Sequence, residues 1–140
     1  MTPPPRIVVA AAVIRRDDTF LVTRRQRGVH LEGYWEFPGG KCDPGEALAD
    51  CVQREMLEEL DGVIRTGRVI LSTEHAYPDR IVELHFLECE LLNDPRPLVG
   101  QDVRWVRRED LRSLRFPPAD DELLRALNSQ IPTSNSQTEA

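Results

Sequence analysis

Cysteine is scarce in this chain and follows no pairing pattern. Cys42, Cys51 and Cys89 form no C-x-x-C unit. An odd set of this kind argues against disulfide staples and for reduced thiols in a cytoplasm. Long apolar runs are missing: no stretch approaches the ~18 residues of a membrane-spanning helix, and the leading MTPPPR lacks the apolar segment of a secretory signal. The expectation is a soluble, cytoplasmic protein with no membrane partner. A basic excess is also absent, since 18 Lys and Arg face 24 Asp and Glu for a net charge of −6. That is the wrong sign for a nucleic-acid polymer as partner, because non-specific affinity for phosphate backbones comes from Lys and Arg. A small polyphosphate remains compatible where metal ions carry the positive charge. With 140 residues, the chain is long enough for one domain with a real core and too short for two. Residues 1–128 are expected to form that domain, and 129–140 a polar tail without structure. No internal repeat is visible.

Ile7 to Ile14, IVVAAAVI, is a β-branched apolar run expected to form a buried strand. An Arg-Arg-Asp-Asp turn leads to a second strand from Thr19 to about Arg24, making a hairpin. Gln26 to Gly33 reads as a loop, and Tyr34 to Phe37 as a short strand delivering a glycine turn. Val63 to Tyr77 and Arg80 to Leu91 read as two long strands joined at Pro78-Asp79. Asn93 to Gly100 is a loop, Val103 to Val106 a strand, and RREDLRSL a short helical turn. Ala119 to Leu127, entered through Pro117-Pro118, carries Leu123, Leu124 and Leu127 at amphipathic spacing and predicts a last helix. Strands outnumber helices, and the main helix sits mid-chain between strand groups, as an expected α+β class would have it.

The chain is organised around GGKCDPGEALADCVQREMLEELDG, Gly39 to Gly62. Its first part is a glycine and proline loop, and the run from Glu46 to Asp61, free of both, predicts a helix. Glu55, Glu58 and Glu59 stand at i, i+3 and i+4, so their carboxylates share one surface. That arc also carries Leu48, Cys51 and Val52 and should turn inward. Two readings fit. One is a solvated acidic face, with Arg54 as the i+4 partner of Glu58. The other is a site for a divalent cation, which would turn repulsion between the carboxylates into attraction; oxygen-only ligands suit Mg²⁺, with Mn²⁺ possible.

The spacing resembles the Nudix box, G-x5-E-x7-R-E-U-x-E-E-x-G-U with U a bulky apolar residue. Gly40, Glu46, Arg54, Glu55, Met56, Glu58 and Glu59 match it in register, whereas Asp61 stands where the family has Gly and Gly62 where it has an apolar residue. Gly62 can still supply a left-handed residue after the helix. The resemblance implies a Nudix fold, a mixed β-sheet sandwiched between helices (α/β/α), over roughly Ile7 to Leu127. It implies hydrolysis of a phosphoanhydride bond, with Glu58, Glu59 and the Gly39 carbonyl as metal ligands. Glu55 would complete the metal site or take the proton of the attacking water. Arg54 and Glu46 would form an ion pair fixing the loop against the helix.

Outside the box, TRR at Thr23 to Arg25, EFPGGK at Glu36 to Lys41, YPDR at Tyr77 to Arg80 and FPPA at Phe116 to Ala119 resemble segments of MutT-like nucleoside triphosphate pyrophosphohydrolases. By that resemblance Arg25 would contact phosphate or nucleotide, Glu36 and Phe37 would line the pocket, and Tyr77 and Arg80 would lie near the base. Without it, Tyr77 and Phe37 read as core, and one of the alternating Arg24 and Arg25 as solvated. Val99 occupies the place of a loop glutamate that assists in these enzymes, leaving its role vacant or passed to Asp102. Asp120 follows FPPA where MutT-like enzymes carry a base-reading Asn. An ionised Asp only accepts hydrogen bonds, which suits a guanine N1–H and N2–H₂ edge or a cytosine amine. Equally, Asp120, Asp121 and Glu122 suit the first turn of a helix as caps. The activity implied is a Mg²⁺-dependent pyrophosphohydrolase for small-molecule nucleoside triphosphates such as 8-oxo-dGTP, with (d)CTP or 5-methyl-dCTP as alternative, by a monomer or homodimer. A silent nucleotide-binding module would have lost box glutamates, and all are present.

Overall fold

The computed structural model describes residues 3–26, 28 and 32–129 of the chain. At its centre runs β1 (Arg6–Arg16), whose side chains divide between two cores. Ala10, Ala12 and Ile14 join one apolar cluster with α1 (Leu48–Leu60), and Ala11 and Val13 join another with α2 (Asp121–Ser129). Alternation with both sets apolar is what a strand covered by helices on both faces requires.

β2 (Thr19–Arg24) returns antiparallel to the end of β1 and is flanked by β3 (Trp35–Glu36) and β7 (Asp102–Arg107). β4 (Gly39–Lys41) pairs antiparallel with β1, and β5 (Ile64–Tyr77) forms a long hairpin with β6 (Arg80–Leu91). β6 lies parallel to β1 from Arg6 opposite Ile81 to Ile14 opposite Cys89. The sheet is therefore mixed, in the order β3-β2-β1-β6-β5, with β4 attached to β1 and β7 to β2. One edge of β1 is shared. Val9 to Ala11 pair with β4, Arg15 and Arg16 pair with β2, and between them the Ala12 N–H donates to the Pro38 carbonyl at 2.7 Å. The two ladders part there, and the opening between them becomes the cavity described below.

The expected hairpins, the late strand, the helical turn (a 3-10 turn, Arg108–Ser113) and both helices are present, with limits shifted by one or two residues. Three differences have physical causes. The Gly39–Lys41 segment, read as a turn, is a strand lying so close to β1 that a Cβ at Gly39 would sit 2.1 Å from the Ala10 carbonyl oxygen. α1 begins at Leu48 rather than Glu46, because Glu46 is drawn aside to Arg54. The left-handed residue after α1 is Asp61 (φ 51), not Gly62, and its N–H donates to the Leu57 carbonyl. Asp is one of few side chains that tolerate this conformation, so the departure from the family glycine is accommodated.

α1 holds its place by burying Cys51, Val52, Met56 and Leu60. Truncating Met56 to Ala would cost about 2–5 kcal/mol. The loop after β2 is closed by the Arg25 N–H to the Tyr34 carbonyl and the Gly33 N–H to the Arg25 carbonyl, at 2.9 and 3.1 Å. Its residues 27 and 29–31 lie outside the described residues, as does the expected tail beyond Ser129. Among the described residues no helix is long and apolar enough to cross a membrane.

Candidate active site

Arg54 is the hub of α1's polar side. Its Nε and one terminal nitrogen grip the two Glu46 oxygens at 2.9 Å each, and that nitrogen also reaches the Lys41 carbonyl at 3.0 Å. The other terminal nitrogen donates to Glu55 at 3.0 Å and Glu58 at 3.1 Å. These contacts use all five donors of the guanidinium fork, which a lysine could not match. Arg54 and the N–H of Asp43 hold the Glu46 carboxyl down at about 2. The expected pair between loop and helix thus exists within a larger network, and the surface reading of Glu58 with Arg54 describes a contact that is also present.

The three helix carboxylates do not share one environment. Glu55 and Glu59 line a cavity of about 590 Å³, within the range of small-molecule pockets. Glu58, with 57% of its side chain exposed, stays outside the lining on the adjacent surface. Gly40 lets Glu55 in: a Cβ there would lie 2.4 Å from the Glu55 carboxyl carbon. The cavity also takes in Gly39, Arg25, Glu36, Phe37 and Asp120, over an apolar floor that includes Val82, Leu84 and Phe86. Arg25 donates to Glu36 at 2.9 Å, and Phe37 stacks on Phe116 with centroids 5.4 Å apart. Phe37 is therefore both core and cavity wall.

Glu59, Asp120 and Glu36 in this enclosure resist ionisation. Burial, then repulsion from Glu55, raises the Glu59 carboxyl to about 8. Burial, then Glu36, raises Asp120 to about 7. Burial raises Glu36 as well, opposed by Arg25. Oxygen-only donors that repel one another when charged fit a hard divalent cation.

Three of the predicted residues lie elsewhere. Tyr77 and Arg80 flank the β5–β6 turn and are not in the cavity lining; the Arg80 guanidinium sits 5.6 Å over the Tyr77 ring. The reason is the parallel register. Arg80 shares the strand parity of Val82 and Leu84, but β1 begins opposite Ile81, so Arg80 projects past the cavity floor. Asp102 is bonded to Arg24 across the β2–β7 ladder and does not line the cavity, whereas Val99 does. Asp120 lies in a 3-10 turn (Pro118–Asp120) ahead of α2 and is buried, leaving Asp121 and Glu122 in the helix's first turn.

Sequence reading missed Gln101, a buried side chain in the cavity wall that donates to the Glu59 carbonyl at 3.2 Å and accepts from the Val99 N–H. A polar residue in a loop carries no local signal of this role. Thr23, from the TRR segment, and Lys41, from EFPGGK, also line the cavity.

The family profile described as NUDIX domain matches residues 9–126. The 8-oxo-dGTP diphosphatase of Haemophilus influenzae is 33% identical over 107 residues, 76% of this chain and 79% of that protein. The CTP pyrophosphohydrolase of Escherichia coli is 31% identical over 111 residues, 79% of this chain and 82% of that protein. Among solved structures, the Escherichia coli ORF135 protein superposes with a TM-score of 0.81 at 30% identity, covering 94% of this chain and 96% of that one. With the box in register on α1 and the mixed sheet between two helices, this chain belongs to the Nudix hydrolase family, in its MutT-like subgroup.

Proposed function

We propose that this chain is a Mg²⁺-dependent nucleoside triphosphate pyrophosphohydrolase that cuts between the α- and β-phosphates, with oxidised deoxynucleotides such as 8-oxo-dGTP favoured. The observation that supports this most is one cavity combining Glu55, Glu59 and Gly39 with Arg25, Phe37, Glu36 and Asp120. The first set offers hard oxygen ligands for Mg²⁺ or Mn²⁺, with Glu58 able to join from the adjacent surface. A bound ion would supply charge neutralisation at phosphorus and activation of water. The protein's own groups do the positioning. Arg54 orients Glu55 and Glu58. Arg25 offers positive charge to a phosphate, and the Phe37 face bounds the space for a base.

Asp120 and Glu36 form the polar edge. Because Asp120 sits at about 7, it divides near neutral pH between a carboxylate that accepts and an acid that also donates. The ionised form keeps the acceptor role expected from the sequence, and the protonated form adds a donor. A carboxylate beside a carboxylic acid matches a guanine edge that presents N–H donors next to a keto oxygen, and mismatched bases would leave buried polar groups unsatisfied. A second reading, cytosine triphosphates, is favoured by the CTP pyrophosphohydrolase relative at 31% identity. The test is pyrophosphate release from 8-oxo-dGTP, dGTP, dCTP, 5-methyl-dCTP and a nucleotide sugar, with Mg²⁺ and with chelator. A kcat/KM ranking led by 8-oxo-dGTP is expected. A ranking led by cytosine nucleotides selects the second reading, and no triphosphate turnover refutes both.

A further inference from the structure

Cys42 and Cys51, which form no sequence motif, are brought together by the fold. Cys42 follows β4 and Cys51 lies in α1, and the seating of both elements on β1 closes the gap. The Cys42 Sγ, the Cys51 Sγ and a carboxylate oxygen of Glu46 all lie within 4.8 Å of one another. The Cys51 thiol donates to the Gly40 carbonyl at 3.7 Å. Cys51 is buried, while Cys42 and Glu46 are half-buried, so the group is approached from the 42–46 loop. None of the three lines the cavity.

We propose that Cys42, Cys51 and Glu46 form a second cation site, specific for a thiophilic divalent ion of the zinc class and distinct from the oxygen-lined cavity. Tetrahedral ligands on such an ion stand about 3.5–3.8 Å apart, given metal–sulfur bonds near 2.3 Å and metal–oxygen bonds near 2.1 Å. The three ligand atoms observed lie within 4.8 Å of one another, so they close by about 1 Å at most to reach that spacing. Two sulfurs and one carboxylate leave a fourth position for water. Ligand softness separates the two sites: the sulfur pair rejects Mg²⁺, and the all-oxygen cavity has no thiolate to offer. Both thiols give their protons to solvent as the ion binds, so binding releases about two protons. The ion would share Glu46 with Arg54, which links the site to the network holding Glu55 and Glu58.

The test is titration of the full chain with Cd²⁺ under saturating Mg²⁺, following thiolate-to-cadmium absorption in the near ultraviolet and proton release at constant pH. One equivalent should saturate the band and release about two protons, with Zn²⁺ displacing the Cd²⁺. Cys42→Ser, at the half-buried position, should lose half or more of the band and bind at least about tenfold more weakly. Glu46→Gln should weaken binding and keep the band, and Cys89→Ser should titrate as wild type. Absence of a band in folded wild type overturns the proposal. So does an unchanged titration in Cys42→Ser or in Glu46→Gln, or loss of the band in Cys89→Ser.

Discussion

Replacing Glu59 by Gln tests whether the helix carboxylates are a cation site or an acidic surface. In the metal-free fold the Glu59 carboxyl sits at about 8 rather than the ordinary 4.5, through burial and then Glu55. A raised folded-state value means stability that is complete below about 4.5 and lost as pH rises through about 8. The full linkage near pH 8 is ~4 kcal/mol. Glu59 keeps partial contact with water, which reduces this to about 1–2 kcal/mol. Gln removes the charge and with it the repulsion from Glu55. Metal-free Glu59→Gln should therefore melt about 3–8 °C above wild type at pH 8 and level with it at pH 4.5. Mg²⁺ should reverse the order, since at a hundred times Kd it stabilises the wild type by about 2.7 kcal/mol and the variant far less. With the triphosphate substrate, kcat/KM should fall about 100-fold or more. Calorimetry at the two pH values, with and without Mg²⁺, and a pyrophosphate assay give the answer. Identical melting at both pH values, or turnover and Mg²⁺ stabilisation both retained, would refute the reasoning.

Gly40→Ala puts a Cβ into the space of the Glu55 carboxyl. Turnover should drop by about 10–100-fold with weaker Mg²⁺ binding, as read from kcat and a Mg²⁺ titration, while the circular dichroism spectrum stays native. Arg54→Lys keeps the charge and loses the five-donor fork, so Glu46, Glu55 and Glu58 compete for one ammonium; a lower Tm and a lower kcat are expected, and wild-type values for both would discount the network. Asp120→Asn removes the group that titrates near 7. Its kcat/KM profile for a purine triphosphate should lose the limb near that pH, and the substrate ranking should change; an unchanged ranking with a shifted Tm would make Asp120 purely structural.

Much of the fold could be read in advance because local pattern and burial agree. IVVAAAVI has no polar side chain to present to water and forms the strand covered on both faces. The long β5–β6 hairpin follows its Pro78-Asp79 turn. β4 was not legible, because three residues containing two glycines carry no strand propensity and are held by their fit against β1. The left-handed residue fell to Asp61 because backbone geometry at the helix end is set by which carbonyls remain to be bonded, not by the nearest glycine.

The order and spacing of side chains along α1 belong to the sequence alone. Arg54, Glu55, Glu58 and Glu59 must lie near one another on any helix of this register, because 3.6 residues per turn leaves no other arrangement. Tertiary structure decided which of them are enclosed. Glu55 and Glu59 turn into the gap where the two ladders of the sheet part, and Glu58 remains in water. It also decided that Asp120 and Glu36, far apart in the chain, share that gap, that Tyr77 and Arg80 lie past its floor, and that Cys42 meets Cys51. Those outcomes depend on contacts between residues distant in sequence, and no local period or spacing encodes the distance between two elements until a shared core has packed them together.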